Sequence, residues 1–184
     1  MSIRMANPED LPQILAIYAP YVTNTTYSFE YEPPTAEEFT QRFLGITKQF
    51  PWLVWEEDGQ VLGYAYASAP FTRAAYSWCV EPSIYLAPEA QGKGIGRRLY
   101  EALEDILQKQ GYQVCYAIIT EENRASVAFH EAIGYRFLAE FPRCGFKHGR
   151  WIGVIWMEKR LNLVDIPSKK PAFWGTIVKN DRNF

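Results

Sequence analysis

The chain has 184 residues, of which 48% are hydrophobic and 22% are charged, a balance typical of one globular domain. The formal net charge of -2 gives no overall positive field for a nucleic-acid backbone, and no apolar run approaches the ~18 residues of a membrane helix. We therefore expect neither a nucleic-acid nor a membrane partner. Cys79, Cys115 and Cys144 are widely spaced and odd in number, which favours reduced thiols and a cytoplasmic location.

Strand-like and helical segments alternate along the chain. Thr35 and Glu38 form the pattern of a capping box before a helix, and Asp58-Gly59 is a hairpin signal. Residues 78–120 have the order of a β-α-β unit, so we expect an α/β fold with a mixed central sheet flanked by helices. The predicted elements are a strand at 2–5, helices from Pro8 and after Thr35, strands at 52–55, 61–67 and 78–86, a helix at 94–110, a strand at 114–120, a helix at 124–133, and strands at 135–141 and 151–158.

The end of the chain differs in pattern from the rest. Periodicity is lost after residue 161 and prolines recur, which predicts a domain at residues 1–161 and an irregular tail at residues 162–184. Phe173 and Trp174 are the apolar side chains expected to dock this tail.

Three alternate glycines, Gly92, Gly94 and Gly96, lie between a predicted strand end and a helix start. Glycines let main-chain N–H groups turn toward one point, and the start of a helix adds partial positive charge. This loop therefore predicts an anion site. The dinucleotide spacing G-x-G-x-x-G is not met and no G-K-[ST] follows, so both common nucleotide motifs are disfavoured.

Three cations crowd the same helix start. Lys93, Arg97 and Arg98 oppose the helix dipole there, which favours a bound anion that compensates them. The alternative is that Arg97 and Arg98 pair with Glu101 at helical spacing.

Residues 91–96, with sequence QGKGIG, resemble the Q/R-x-x-G-x-G/A motif with which the GCN5-related N-acetyltransferases (GNAT family) bind acetyl-CoA. Further segments resemble the phosphinothricin and methionine sulfoximine acetyltransferases of that family. They are YSW at 76–78, VEPSIY at 80–85, NRAS at 123–126, HEAIGY at 130–135 and GFKHG at 145–149. The resemblance covers residues 3–161 and implies a GNAT fold with a β-α-β acetyl-CoA-binding core, no metal, and a homodimer.

The resemblance also implies where acetyl-CoA binds. Main-chain groups near Ile84 would contact the pantetheine arm, and an amide there would polarise the thioester oxygen. Asn123 could contact the arm, cap the following helix, or do both. The implied set is Ile84, Tyr85, Leu86, Gln91, Gly92, Lys93, Gly94, Ile95, Gly96, Arg97, Asn123 and Ser126.

Acetylation of an amine needs a base, an oxyanion donor and an acid for the leaving thiol. Glu81 lies in an apolar strand segment just before the glycine loop, which favours a base in a partly dry cleft over a solvent-facing carboxylate. Pro82 follows it and indicates a bulge or an edge. His130 is implied by the resemblance to protonate or orient the leaving thiolate, whereas a lone histidine on a helix is more often structural.

The resemblance places Phe29, Phe71, Arg73 and Tyr76 at the acceptor site. Arg73 would hold an α-carboxylate by a two-pronged hydrogen bond, with a plain surface arginine as the alternative. Phe29 could instead belong to the core. One departure stands out, because the resembling enzymes read K-x-G-x-W-x-D-V where this chain has Gly153 in place of the aspartate.

The expected function is transfer of acetyl from acetyl-CoA to the primary amine of a small amino-acid-like substrate, directly and without an acyl-enzyme. Two alternatives stay open. One is acetylation of another amine, such as a polyamine, an aminoglycoside or a protein N-terminus, and the other is a non-catalytic acyl-CoA sensor.

Overall fold

The computed structural model describes residues 2–167 and 169–179. Seven strands form one sheet in the order β1-β2-β3-β4-β5-β7-β6, in which β4 and β5 are parallel and the other neighbours antiparallel. The strands are β1 Ser2–Met5, β2 Trp52–Glu57, β3 Gln60–Ser68, β4 Cys79–Leu86, β5 Val114–Thr120, β6 Arg136–Lys147 and β7 Arg150–Arg160. The α-helices are α1 Leu11–Asn24, α2 Ala36–Thr47, α3 Ile95–Gln110, α4 Arg124–Ala132 and α5 Trp174–Val178. The predicted mixed sheet with flanking helices is confirmed.

Local signals start and stop the elements where the sequence predicts. Thr35 and Glu38 form a reciprocal capping box at the start of α2. Asp58 and Gly59 both have positive φ, 51° and 79°, as the turn between β2 and β3 requires.

Three predictions need correction. Strand β6 continues to Lys147 rather than ending at residue 141, because register shifts against β7 accommodate the Pro142 region. The tail also contains a helix, α5, whose Trp174 indole donates to the Thr47 carbonyl at 2.8 Å. Phe173 is largely exposed and does not dock the tail as predicted. Residues 168 and 180–184 of the predicted tail lie outside the described residues.

Two apolar cores cover the two faces of the sheet. Helix α3 packs with Val80 and Ala117 on one face, while α1 and α2 pack with Trp52 and Tyr64 on the other. Alternation along each strand therefore decides which face a site residue occupies. In the described part of the chain, no helix has the length and apolarity needed to cross a membrane.

The sheet splits between β4 and β5. These strands pair at only two positions, Cys79 with Val114 and Val80 with Cys115. β4 continues to Leu86 and β5 continues to Thr120, so the strands diverge and leave a gap in the sheet.

Candidate active site

The ladder between β3 and β4 determines which main-chain groups face this gap. The Ala87 N–H donates to the Leu62 carbonyl at 2.9 Å, and such pairs recur at every second position of an antiparallel ladder. Pro82, Ile84 and Leu86 occupy the intervening positions and turn their main-chain groups toward the gap. Proline is tolerated there because it has no N–H to leave unpaired. The continuous register of this ladder means that the predicted bulge is absent and that Pro82 lies at an open edge.

The gap opens into a narrow cleft of about 90 Å³ that both predicted catalytic residues line. Glu81 lies on the same face of β4 as Tyr85, whose ring packs edge-on against Tyr18 of α1. His130 lies on α4, where its ring packs against Tyr100 of α3. The two side chains therefore reach the cleft from opposite faces of the sheet.

The Glu81 carboxylate is largely buried and faces the cleft. Burial raises the pKa of Glu81 above its ordinary value. Within residues 2–167 and 169–179, no hydrogen bond or ion pair engages this carboxylate, and it lines the cleft instead of pointing into open solvent. A carboxylate with a raised pKa is a stronger base near neutral pH.

His130 is 3% exposed, and both of its ring nitrogens are engaged. Nδ1 lies 2.7 Å from the Ser126 carbonyl, which can only accept, so Nδ1 carries the proton of the neutral ring. Nε2 then accepts from the Tyr100 hydroxyl at 2.8 Å. Burial lowers the pKa of His130, which favours this neutral form. The proton that His130 holds is therefore directed at its own helix and not at the cleft.

A larger cavity of about 500 Å³ lies beside the glycine loop. Ile84, Asn123 and Ser126 line both this cavity and the narrow cleft, so the two spaces adjoin. The structure thus brings most of the predicted acetyl-CoA residues to one place. The others that line the larger cavity are Leu86, Gln91, Gly92, Gly94, Gly96 and Arg97.

The three loop glycines differ in backbone conformation. Gly92 and Gly94 have φ of 72° and 77°, in the left-handed region that favours glycine. Gly96 is helical, and a Cβ there would lie 3.5 Å from the side chains of Ile84 and Leu86, an ordinary van der Waals distance, so neither its backbone nor its surroundings require glycine.

The remaining loop residues of the predicted set have side chains outside the cavity lining. Ile95 points into the core, so it could contact a ligand only through its main chain. Lys93 is exposed and could contact a ligand through its main chain or after its side chain rotates. Tyr85 lines the narrow cleft instead.

The two arginines of α3 differ in their contacts, and of the two only Arg97 pairs with Glu101 among the described residues. Arg97 lines the cavity and donates to the Ala132 carbonyl at 3.2 Å, with a loose ion pair to Glu101 at 3.9 Å. Arg98 lies over the Trp55 ring, 5.7 Å from its centroid, and faces away from the cavity. Arg97 therefore stays available to an anion, and Arg98 does not.

Asn123 performs the capping role that the sequence allows. Its side-chain oxygen accepts the Ser126 N–H at 3.1 Å at the start of α4. Because Asn123 also lines both cavities, capping and ligand contact remain compatible.

The four predicted acceptor residues fall into two groups. Phe71 and Tyr76 pack together at 4.5 Å between ring centroids, and Trp156 stacks on Phe71 at 6.0 Å. Phe29 is 40% exposed, which excludes a core role, and its ring lies where a Cβ at Gly145 would be. Arg73 is exposed beside the Phe71 group. None of the four is among the described residues that line the cleft or the larger cavity.

Three tyrosines of the site were not predicted. The Tyr21 hydroxyl donates to the Leu86 carbonyl at 2.6 Å and accepts from Gln91 at 3.2 Å, joining α1 to β4 and the glycine loop. Tyr27 lines both cavities, and Tyr100 holds His130. In the sequence each is an ordinary aromatic residue, so only the folded arrangement identifies it. The described residues contain no cluster of three or more His, Cys, Asp or Glu side chains placed to hold a metal ion.

Comparison with known proteins gives consistent matches. Residues 3–156 match the family model for the acetyltransferase (GNAT) domain. The chain is 38% identical over 166 residues to phosphinothricin N-acetyltransferase of Alcaligenes faecalis, covering 89% of this chain and 84% of the relative. It is 35% identical over 163 residues to L-methionine sulfoximine/L-methionine sulfone acetyltransferase of Pseudomonas paraeruginosa, covering 88% and 95%. A crystal structure of a GNAT superfamily phosphinothricin acetyltransferase from Sinorhizobium meliloti in complex with AcCoA superposes with a TM-score of 0.85 at 39% identity, covering 93% of this chain and 92% of the other.

Proposed function

Because this chain belongs to the GNAT family and is an acetyl-CoA-dependent N-acetyltransferase, we propose that it acetylates the primary amine of a small amino-acid-like acceptor of the phosphinothricin or methionine sulfoximine type. The observation that carries this proposal is the unpartnered Glu81 carboxylate in the gap between β4 and β5, next to the cavity of the glycine loop. Relatives named for these two acceptors support the acceptor class.

Acetyl-CoA supplies an activated acetyl group as a thioester, and the chain offers groups to hold it. The gap-facing N–H of Ile84 is placed to donate to the thioester oxygen, on which negative charge develops as the amine attacks. The glycine loop and Arg97 offer main-chain donors and a cation for the pyrophosphate. These residues fit the cosubstrate without any change of fold.

Glu81 is the base in this proposal. It takes the proton that the amine loses as the new C–N bond forms, and its raised pKa makes it suited to this step near neutral pH. His130 holds no proton directed at the cleft, so we assign it an orienting role through the Tyr100 hydroxyl rather than direct donation to the thiolate.

Direct transfer is favoured because the cysteines are poorly placed as nucleophiles. Burial raises the pKa of both Cys79 and Cys115, which keeps them as thiols. Cys144 is exposed on β6, and none of the three lines the cleft or the larger cavity among the described residues. All three are free thiols, which suits the expected cytoplasmic location.

Exposed aromatic and aliphatic side chains on β6 and β7 support a homodimer. Such a concentration of large apolar side chains on one hairpin is typical of an interface. They are Phe137, Leu138, Phe141, Phe146 and Trp151. Light scattering is expected to give twice the chain mass, and Phe141→Glu is expected to shift the protein toward the monomer.

The test of the proposed function is thiol release from acetyl-CoA with methionine sulfoximine, phosphinothricin, spermidine and a peptide amine. We expect release with the first two, a loss of about 100-fold or more in kcat for Glu81→Gln, and no change for Glu37→Gln, whose side chain is exposed on α2. Release with only spermidine or the peptide would contradict the acceptor class, and full activity of Glu81→Gln would contradict the base.

A further inference from the structure

Gly153 of β7 lies against the carboxylate of Glu121, the residue that follows β5. The Glu121 N–H donates to the Gly153 carbonyl at 3.0 Å, and the Gly153 N–H donates to Glu121 Oε1 at 3.0 Å. A Cβ at position 153 would lie 2.7 Å from Glu121 Oε2 and 3.1 Å from the Phe141 carbonyl oxygen. Gly153 has no positive φ, so the backbone does not require glycine there. With the Glu121 carboxylate in its present place, a side chain at position 153 would have to displace it.

Glu121 and Gly153 form the last pair at this end of the β5–β7 ladder, and their hydrogen bonding differs from that of an ordinary pair. Thr120 pairs with Val154, and Glu121 with Gly153 is the next position of that register. In an antiparallel hydrogen-bonded pair, two main-chain carbonyls accept two main-chain N–H groups. Here one acceptor is the Glu121 side chain, which leaves the backbone of residue 121 able to turn out of the sheet.

That turn carries the ligand-facing start of α4. The Asn123 N–H donates to the Thr120 carbonyl at 2.9 Å, and the Asn123 side chain caps α4. Asn123 and Ser126 line both cavities of the site. A shift of residue 121 would therefore move side chains that face the acetyl-CoA cavity.

We propose that Glu121 is a positioning residue for acetyl-CoA binding, which supplies from the β5–α4 turn the carboxylate that the resembling enzymes carry at position 153. An aspartate on β7 would bring its carboxylate into the same space from the other side. The inference rests on the assignment of the cavity to acetyl-CoA and not on the identity of the acceptor amine.

The experiment exchanges the carboxylate between the two positions. CoA affinity by calorimetry, KM for acetyl-CoA, kcat and the urea midpoint are measured for Glu121→Ala, Glu121→Gln, Gly153→Asp and the double variant Glu121→Ala/Gly153→Asp. Glu131→Ala, at an exposed position of α4, is the control.

Loss of one partly buried hydrogen bond at the turn is expected to weaken CoA binding about five- to tenfold in Glu121→Ala, with KM affected more than kcat. Glu121→Gln keeps an acceptor for the Gly153 N–H and is expected within about twofold of wild type. Gly153→Asp places two carboxylates in one space and is expected to lower both the urea midpoint and CoA affinity. The double variant is expected to recover most of both, and the control to match wild type.

Wild-type affinity in Glu121→Ala, or a double variant no better than Glu121→Ala in affinity and midpoint, overturns the proposal. If Glu121→Ala does not fold, a double variant that also fails to fold overturns it, and one that folds and binds CoA supports it. Normal CoA titrations together with a failed acceptor panel would reject only the acceptor class. A wild-type protein that does not bind CoA would overturn the cavity assignment and this proposal together.

Discussion

Replacing Lys147 by methionine is expected to destabilise the protein by about 1–3 kcal/mol and to loosen residues 25–31, the segment that carries Tyr27 and Phe29. Lys147 ends β6 and is 1% exposed. Its ammonium group donates to the Val22 carbonyl at 2.7 Å and to the Ser28 carbonyl at 2.6 Å. One buried cation therefore fixes the end of α1 and the following segment to β6.

The magnitude follows from these two bonds. A hydrogen bond with a charged donor contributes about 1.5–3 kcal/mol, so losing both costs about 3–6 kcal/mol. Methionine returns about 1–2 kcal/mol through its apolar surface, so the net loss lies at about 1–5 kcal/mol. Burial lowers the pKa of Lys147, which reflects a desolvation cost that methionine does not carry and which favours the lower part of the range.

A second contact limits the damage. The Glu30 carboxylate pairs with Arg42 of α2 at 2.5 Å and accepts from the Tyr18 hydroxyl at 2.8 Å. Arg42 and Tyr18 therefore still hold Glu30 after Lys147 is replaced, so the segment stays attached to α1 and α2 at that end. We expect local loosening with retention of the fold.

Urea unfolding of Lys147→Met measures the stability, with Lys48→Met, at an exposed position after α2, as the matched control. KM is expected to rise for both the acceptor and acetyl-CoA, because Tyr27 of the loosened segment lines both the narrow cleft and the larger cavity. A free energy of unfolding within about 0.5 kcal/mol of the control would refute the reasoning, since surface substitutions reach that value without any buried bond.

Three further predictions concern the glycine loop and the two titrating side chains. Gly94→Ala places a side chain on a residue with a φ of 77° and is expected to lower the free energy of unfolding by about 1 kcal/mol and to weaken CoA binding. Gly45→Ala, in open space on α2, is expected to raise the free energy of unfolding by about 0.5–1 kcal/mol. Urea midpoints and CoA titrations check both. Because burial lowers the pKa of His130, the unfolded chain binds that proton more readily, so stability is expected to fall as pH drops below about 6.5. His130→Gln should flatten this fall in urea midpoints measured across that range, and an equal fall in both proteins would count against it. Because burial raises the pKa of Glu81 and only the ionised form accepts a proton, kcat/KM is expected to decline as pH falls through that raised value; Glu81→Gln should lack this acid limb, and an identical limb in the variant would contradict the assignment.

The sequence predicts the fold well where its signals are local. Capping by Thr35 and the Asp58-Gly59 turn depend on neighbours in the chain, and both occur as predicted. The continuation of β6 beyond Pro142 was missed, because a proline ends a strand unless a register shift against the partner accommodates it. That shift depends on β7 and leaves no local signal.

The site residues also differ in whether local sequence signals predict them. The glycine loop could be predicted because left-handed backbone at Gly92 and Gly94 needs glycine. The role of Tyr100 could not, because its partner His130 is 30 residues away and meets it only when α3 and α4 pack together. Gly153 departs from the pattern of the resembling enzymes, but its contact with the Glu121 carboxylate joins residues 32 positions apart and forms only when the turn after β5 meets β7.

The gap between β4 and β5 connects this fold to its chemistry. Because pairing stops after Val80, Glu81 is the first residue of β4 without a neighbour on β5. Its carboxylate faces the α1 side, while the His130–Tyr100 pair closes the α3 side. In the proposed mechanism the amine loses its proton to Glu81 on one face of the sheet, while His130 and Tyr100 orient groups on the other face, with the gap-facing Ile84 N–H between them. A continuous sheet would separate these groups by a layer of paired backbone, so the proposed direct transfer depends on the short parallel pairing of β4 and β5.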